Sequence, residues 1–326
     1  MRILFAGSPG IALPSLRRAA AEHEVVAVLT NPESQKGRGL ETSVTSVAAA
    51  AESLFRGAVP VLGFDRLGAE AREAIAQLKP DLLVSFAYGR IFGPRFLALF
   101  PKGGINIHPS LLPRYRGPTP IPEAILRRDR ETGVSVQRIA LGVDEGELLA
   151  VERIPLSGRE TTEDLTETAA LLGADLLSEV ISSIAAGREK AVPQEGPVLY
   201  CGMLRKDDGL IDWTEPVLDV DARLRAFYPW PGAFTWFRGQ RLAILEAVPY
   251  EGMTYAAPAG GLDWEGAHPG TILGLDKSLG LVVQGKDGLV ALRRLQLQHK
   301  KALGWREFAN GVRELSGVVL GATTGQ

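Results

Sequence analysis

The sequence predicts an α/β chain with a Rossmann-like domain over residues 1–188, a linker over 189–205 and a small C-terminal β-barrel (OB-like) domain over 206–318. Three observations carry this. The chain opens as strand, glycine turn and helix; buried-strand runs then alternate with helically spaced segments; and beyond a proline- and glycine-punctuated stretch at 187–202 the pattern changes to short alternating runs. At 326 residues, 45% of them hydrophobic, the chain is long enough for two cored domains of about 100–200 residues each.

Composition narrows the classes. The opening MRILFAGSPG has no apolar run behind a basic patch, and no stretch is expected to reach the roughly 18–20 apolar residues of a membrane span, so a cytoplasmic protein with no membrane contact is the default. The single cysteine, Cys201, excludes an internal disulfide and a multi-cysteine zinc site. Histidines at 23, 108, 268 and 299 lack helical i,i+4 spacing, so no metal is expected. A net charge of −2 argues against wholesale coating of nucleic acid, and any such contact must come from local clusters. A monomer is expected.

In order, Arg2–Ala6 reads as a first strand, Gly7-Ser8-Pro9-Gly10 as the turn, and the segment through Leu13 and Leu16 as a helix. The turn is neither G-x-G-x-x-G nor a P-loop. Glu24–Thr30 reads as a second strand, and residues 31–43 as a polar surface loop with cations at Lys36 and Arg38. Strands follow at Val59–Leu62 and Asp81–Phe86, with helical spacing between Leu67 and Leu78. Phe86-Ala87-Tyr88-Gly89-Arg90-Ile91 leaves the second of these: either a turn that reads the edge of a flat heterocycle or an aromatic turn packed on the sheet.

Residues 103–117, GGINIHPSLLPRYRG, carry the chemistry. Period-2 alternation buries Ile105 and Ile107 on one face and pushes Asn106 and His108 out together on the other, and Pro109 ends the strand. An amide can donate to a developing oxyanion, an imidazole can donate or move a proton near neutral pH, and a carboxylate such as Asp144 can tune it. An isolated Asn-x-His is also compatible with a plain strand end. Pro120–Arg127 reads as a helix, Gly133–Ile139 and Glu147–Pro155 as paired strands around a turn carrying Asp144, and the run from Leu165 to Ile184 as a long amphipathic helix. Thr161 and Asp164 are candidate caps for that helix.

Asn106, His108, Ser110, Leu111, Leu112 and Pro113, then Arg116-Gly117, Thr132-Gly133-Val134 and finally Asp144 and Gly146 resemble, in order and spacing, the folate-dependent formyltransferases. The extension beyond residue 200 resembles the branch of that family whose acceptor is a tRNA: Ile211-Asp212-Trp213, Arg225-Ala226-Phe227, Pro229–Gly232 and Gly239-Gln240 match its second domain. Enzymes acting on a small purine precursor end before this extension. The resemblance implies formyl transfer from 10-formyltetrahydrofolate to the α-amino group of methionine on initiator tRNA, without metal. It implies catalytic roles for Asn106, His108 and Asp144, and folate contacts at Phe86, Tyr88, Gly89, Ile91, Ser110, Leu111, Leu112, Pro113 and Val143. It further implies tRNA contacts at Lys36, Arg38, Arg116, Arg293, Lys300 and Lys301.

The chain departs from the family pattern in four places: Ser8 replaces a threonine, Leu40-Glu41 a lysine pair, Tyr200-Cys201-Gly202-Met203 a Tyr-Ala-x-Lys element, and His299 a glycine. The basic run Arg293, Arg294, His299, Lys300, Lys301 and Arg306 is either a solvated face or a surface for a phosphate backbone. Alternating runs at 234–237, 242–248, 271–275, 280–284 and 289–298 predict the barrel strands, and residues 317–326 a loose tail. Rival readings are formylation of a nucleotide-sugar amine, a non-catalytic RNA-binding protein and formyl-folate hydrolysis.

Overall fold

Two apolar runs, Ile3–Ala6 and Val25–Leu29, are almost fully buried and set the centre of a twisted sheet. The computed structural model describes residues 1–36, 41–250 and 266–321. Contacts divide the chain into one unit of residues 1–121, 130–156 and 164–203, and another of residues 122–129, 157–163 and 204–326.

The first unit begins with β1 (Arg2–Gly7), α1 (Leu13–Glu22) and β2 (Glu24–Thr30). Burying Leu16 fully under α1 stabilises the unit by about 1.5–3 kcal/mol. The predicted 31–43 loop instead holds a short antiparallel pair, β3 (Ser34–Lys36) and β4 (Glu41–Ser43). Its residues are almost all polar, so the apolar alternation that marks a half-buried strand is missing. Arg38 and the side chain of Lys36 lie outside the described residues.

Next come α2 (Ser46–Phe55), β5 (Val61–Gly63), α3 (Ala69–Gln77), β6 (Leu82–Phe86), α4 (Pro94–Leu97) and β7 (Gly104–His108). They are followed in the chain by α5 (Pro120–Leu126), most of which counts with the second unit, and then by β8 (Glu131–Arg138), β9 (Leu148–Pro155) and α6 (Thr162–Ala185). The sheet order is β5-β2-β1-β6-β7-β8-β9. Strands β5 to β7 are parallel in that order, and β8 and β9 add antiparallel.

Helix α6 corrects the expectation that no segment is long enough to span a membrane: it meets that test by length and composition, and half of its apolar stretch is buried inside the protein. Its apolar residues serve a sheet face. A Cβ on Gly173 would meet Ile107 Cγ2 at 3.0 Å and Phe86 Cε1 at 3.3 Å, so the helix sits directly on the strands that carry the site.

The second unit contains α7 (Val217–Ala226), β10 (Phe234–Phe237), β11 (Gln240–Pro249), β12 (Ile272–Asp276), β13 (Gly280–Gln284), β14 (Leu289–Leu297), β15 (Leu303–Gly304) and α8 (Trp305–Gly311). The antiparallel order is β10-β11-β14-β13-β12, with β15 on β14, a half-barrel around Trp213, Phe237, Leu242, Leu292 and Phe308. The Trp213 indole donates to Thr235 Oγ1 at 3.1 Å, which satisfies the one polar atom that burial would otherwise strand.

The predicted loose tail is fastened over its first half. Ile272 donates to Val318 O at 2.8 Å, Gly317 to Ile272 O at 2.8 Å and Gly321 to Trp236 O at 2.9 Å, and Leu320 is buried. The segment covers a sheet edge, which supplies backbone partners that its own composition does not advertise.

Candidate active site

Strand β7 delivers the first two groups. Ile105 and Ile107 are buried on one face, and Asn106 and His108 lie on the other. That second face is covered rather than open: His108 is 4% exposed and Asn106 half-buried, because residues 109–117 and the turn between β8 and β9 fold over it. The expectation that both groups project outward is corrected to this extent.

The 109–117 loop is held from beneath by β8. Ser135, opposite His108 in the register, donates from Oγ to Ser110 O at 2.7 Å and accepts from Leu112 N–H at 3.2 Å. Ser110 Oγ donates to Arg114 O at 2.6 Å. Leu111 packs onto Gly133, where a Cβ would lie 2.4 Å from Leu111 Cδ2 and 2.2 Å from Glu152 O. The glycine of the Thr-Gly-Val segment and the leucine of the Ser-Leu-Leu-Pro segment are thus two halves of one contact. Leu112 and Pro113 are buried and joined by a cis peptide bond.

Asp144 folds back over β7 from the β8–β9 turn. Its Oδ1 accepts from Gln137 Nε2 at 2.9 Å and Asn106 Nδ2 at 3.3 Å, and its Oδ2 from the Gly117 amide at 2.9 Å. His108 Nδ1 stands 3.6 Å from Oδ2, and His108 Nε2 2.9 Å from the Tyr115 carbonyl. A carbonyl only accepts, so Nε2 is the ring nitrogen that donates to Tyr115, while Nδ1 faces the carboxylate. Asn106 turns its NH₂ toward the carboxylate for the same reason. Among the described residues its second amide hydrogen has no partner. Among the described residues, the arrangement offers one free hydrogen-bond donor, one carboxylate held by three donors, and an imidazole nitrogen 3.6 Å from that carboxylate.

The other anticipated side chains fall in several places. Phe86 is buried beneath α6, and Tyr88 opens an aromatic row with Phe92 (5.4 Å between centroids), Phe96 and Phe100 inside the core. Burial pushes the Tyr88 phenol pKa up, opposed by the nearby Arg90 charge. The Tyr88 carbonyl accepts from Asn31 Nδ2 at 3.0 Å, and Gly89 adopts φ +79°. Ile91 and Val143 are exposed, as is Leu141, which the sequence did not single out. Arg116 is bound into the first unit: Nε and Nη2 donate to Gln194 Oε1 at 3.1 and 2.8 Å, and Nη1 lies 3.3 Å from Glu145 Oε1. In the second unit Lys300 and Lys301 are exposed, while Arg293 donates to Leu279 O at 3.3 Å and lies 3.6 Å from Glu246.

Gln137, Gln194 and the Gly117 amide were not anticipated. Gln137 stands directly opposite Asn106 where β8 pairs antiparallel with β7, a register that the fold and not the local sequence sets.

Residues 3–181 match the family described as formyl transferase, and residues 203–313 match the formyl transferase C-terminal domain. The chain belongs to the formyltransferase family. It is 44% identical over 317 residues to a methionyl-tRNA formyltransferase of Treponema denticola, covering 95% of this chain and 97% of that one. Among solved structures it is similar to HypX from Aquifex aeolicus in complex with tetrahydrofolic acid, with TM-score 0.63 and 19% identity over 97% of this chain. This formyltransferase spans about half of HypX, 48% of that chain. It is also similar to an N-formyltransferase of Helicobacter canadensis in complex with folinic acid and dTDP-3-aminofucose, with TM-score 0.62 and 18% identity, covering 91% of this chain and all of the other.

Proposed function

We propose that this formyltransferase moves the formyl group of 10-formyltetrahydrofolate onto the α-amino group of methionyl initiator tRNA, giving formylmethionyl-tRNA for translation initiation in the cytoplasm. The observation that carries the chemical step is the convergence of Asn106, His108 and Asp144, 38 positions apart at their extremes, on one covered patch of β7. The similarity over 95% of the chain to a methionyl-tRNA formyltransferase supports the acceptor. The folate-bound similar structures support the donor.

The donor supplies an activated formyl carbon on an exocyclic arylamine nitrogen. An amine attack forms the new carbon–nitrogen bond, shifts an electron pair to the formyl oxygen, and ends when the bond to the folate nitrogen breaks. Asn106 has the unpartnered N–H that suits the oxygen as it gains charge, and a preorganised donor of this kind is worth about 2.7–4 kcal/mol. The amine must also lose a proton and the folate nitrogen gain one. Asp144, with His108 Nδ1 beside it at 3.6 Å, is the group suited to relay them through water. Exposed Ile91, Leu141 and Val143 support an apolar wall for a flat heterocycle. Lys300 and Lys301 in the second unit, with Arg38 and Lys36, are the candidate tRNA contacts.

The test offers labelled formyl donor in parallel to charged initiator tRNA, charged elongator methionyl-tRNA and free sugar amines. Product on initiator tRNA is expected; product on a sugar amine alone, or release of free formate with every acceptor, overturns the reading.

A further inference from the structure

We infer that Gln194, oriented by Arg116, is a positioning residue for catalysis: it fixes the backbone of the loop that presents Asp144. The inference rests on the formyl-transfer reading and deepens it.

Gln194 belongs to the stretch after α6, flanked by Pro193 and Pro197. Its Oε1 accepts two hydrogens from Arg116, at Nε (3.1 Å) and Nη2 (2.8 Å). A guanidinium has no acceptor, so this contact dictates which end of the amide faces it. The Nε2 end then points into the 140–146 loop, 2.8 Å from the Asp144 carbonyl, 2.8 Å from the Gly146 carbonyl and 3.3 Å from Gln137 Oε1. Gln137 Oε1 in turn accepts from the Gly146 amide at 3.1 Å.

This support lies where the backbone needs it. Asp144 is held at φ +54°, in the left-handed region that non-glycine residues seldom occupy without outside support. Gln137 and Gly117 hold its carboxylate from one side, and Gln194 holds its carbonyl from the other. Arg116 is itself immobilised. Its backbone amide donates to Leu199 O at 2.9 Å and its carbonyl accepts from Cys201 N at 2.9 Å, so the same stretch of chain grips it twice. The side chain of Arg116 is 11% exposed, and its Nη1 lies 3.3 Å from Glu145 Oε1, so the guanidinium that orients Gln194 is held on a third side.

The test uses the full chain with Gln194→Ala and Gln194→Glu. The second keeps an acceptor for Arg116 but turns oxygen rather than N–H toward two carbonyls. Both are expected to lower kcat about tenfold, the cost of a small misplacement of a reacting group, with KM for donor and acceptor within about twofold of wild type and a lowered thermal midpoint that still leaves the protein folded at the assay temperature. Glu195→Ala, one residue on and exposed, is expected to match wild type. A wild-type kcat in Gln194→Ala, or a loss confined to KM, overturns the inference while leaving formyl transfer standing. So does a loss of kcat that only accompanies loss of fold in both variants. A wild-type protein that transfers no formyl group to any acceptor removes the functional reading and this inference together.

Discussion

Replacing Asn106 with alanine separates the transition-state role of the amide from its place in the fold. Among the described residues, the hydrogen bond lost in the resting protein is the 3.3 Å contact to Asp144 Oδ1, and that oxygen keeps the 2.9 Å bond from Gln137. A long, half-buried contact to a carboxylate contributes about 1.5–3 kcal/mol, small enough that the variant should fold and keep its substrate affinity. The missing donor to the formyl oxygen should cost about 2.7–4 kcal/mol, a fall of roughly 10²–10³ in kcat. Single-turnover transfer of labelled formyl to charged initiator tRNA at saturating donor measures this without interference from product release. A kcat within about threefold of wild type, or a loss expressed wholly as raised KM, would refute the assignment of Asn106 as the oxyanion donor.

Ser135→Ala should destabilise the first unit by about 2–4 kcal/mol in denaturant titration, because it strands the buried Ser110 carbonyl and Leu112 amide. A midpoint equal to wild type would mean that the 109–117 loop needs no such brace. Lys300→Ala with Lys301→Ala should lower the slope of log K against log salt for tRNA binding by roughly 2, with kcat at saturating tRNA retained. An unchanged slope would take this surface out of the tRNA contact. In the second unit, hydrogen bonds from the Ser278 hydroxyl and amide, then from the Leu279 amide and Tyr250 hydroxyl, outweigh burial and hold the Asp276 carboxyl at about 2. A depressed carboxyl stabilises the fold above its unfolded pKa and ceases to as pH falls through the folded value. The stability difference between wild type and Asp276→Asn should therefore be full at pH 6 and shrink between about pH 4 and pH 2, and a pH-independent difference would contradict the turn geometry.

Elements with strong local periodicity were legible. Glu24–Thr30, Phe234–Phe237 and Gly280–Gln284 match strands residue for residue, because half-buried and fully buried strands write their burial into the apolar pattern. Helix α2 was not read, although Thr45 caps it by accepting the Ala48 amide at 3.0 Å: its alanine run has little apolar contrast between faces. That Asn106, His108 and Asp144 come together was anticipated from motif order and from the strand alternation. Gln137 and Gln194 were not, since glutamine in a strand and in a proline-flanked stretch carries no periodic mark, and its role depends on which carbonyls the fold brings within reach. Arg116 was expected to contact tRNA, and its intramolecular partners were not read. They sit 29 and 78 positions downstream, beyond any local pattern.

The stretch from Val192 to Cys201 exchanges backbone hydrogen bonds with Leu148 at one end and with Arg116 at the other. Anyone excising the first unit for crystallography or for fusion to a new acceptor-binding module should therefore place the cut beyond Cys201. Terminating at Ala185, the end of α6, would yield a fragment with its sheet intact and the two loops over β7 unbraced. Such a fragment could pass every test of folding and still be a poor enzyme.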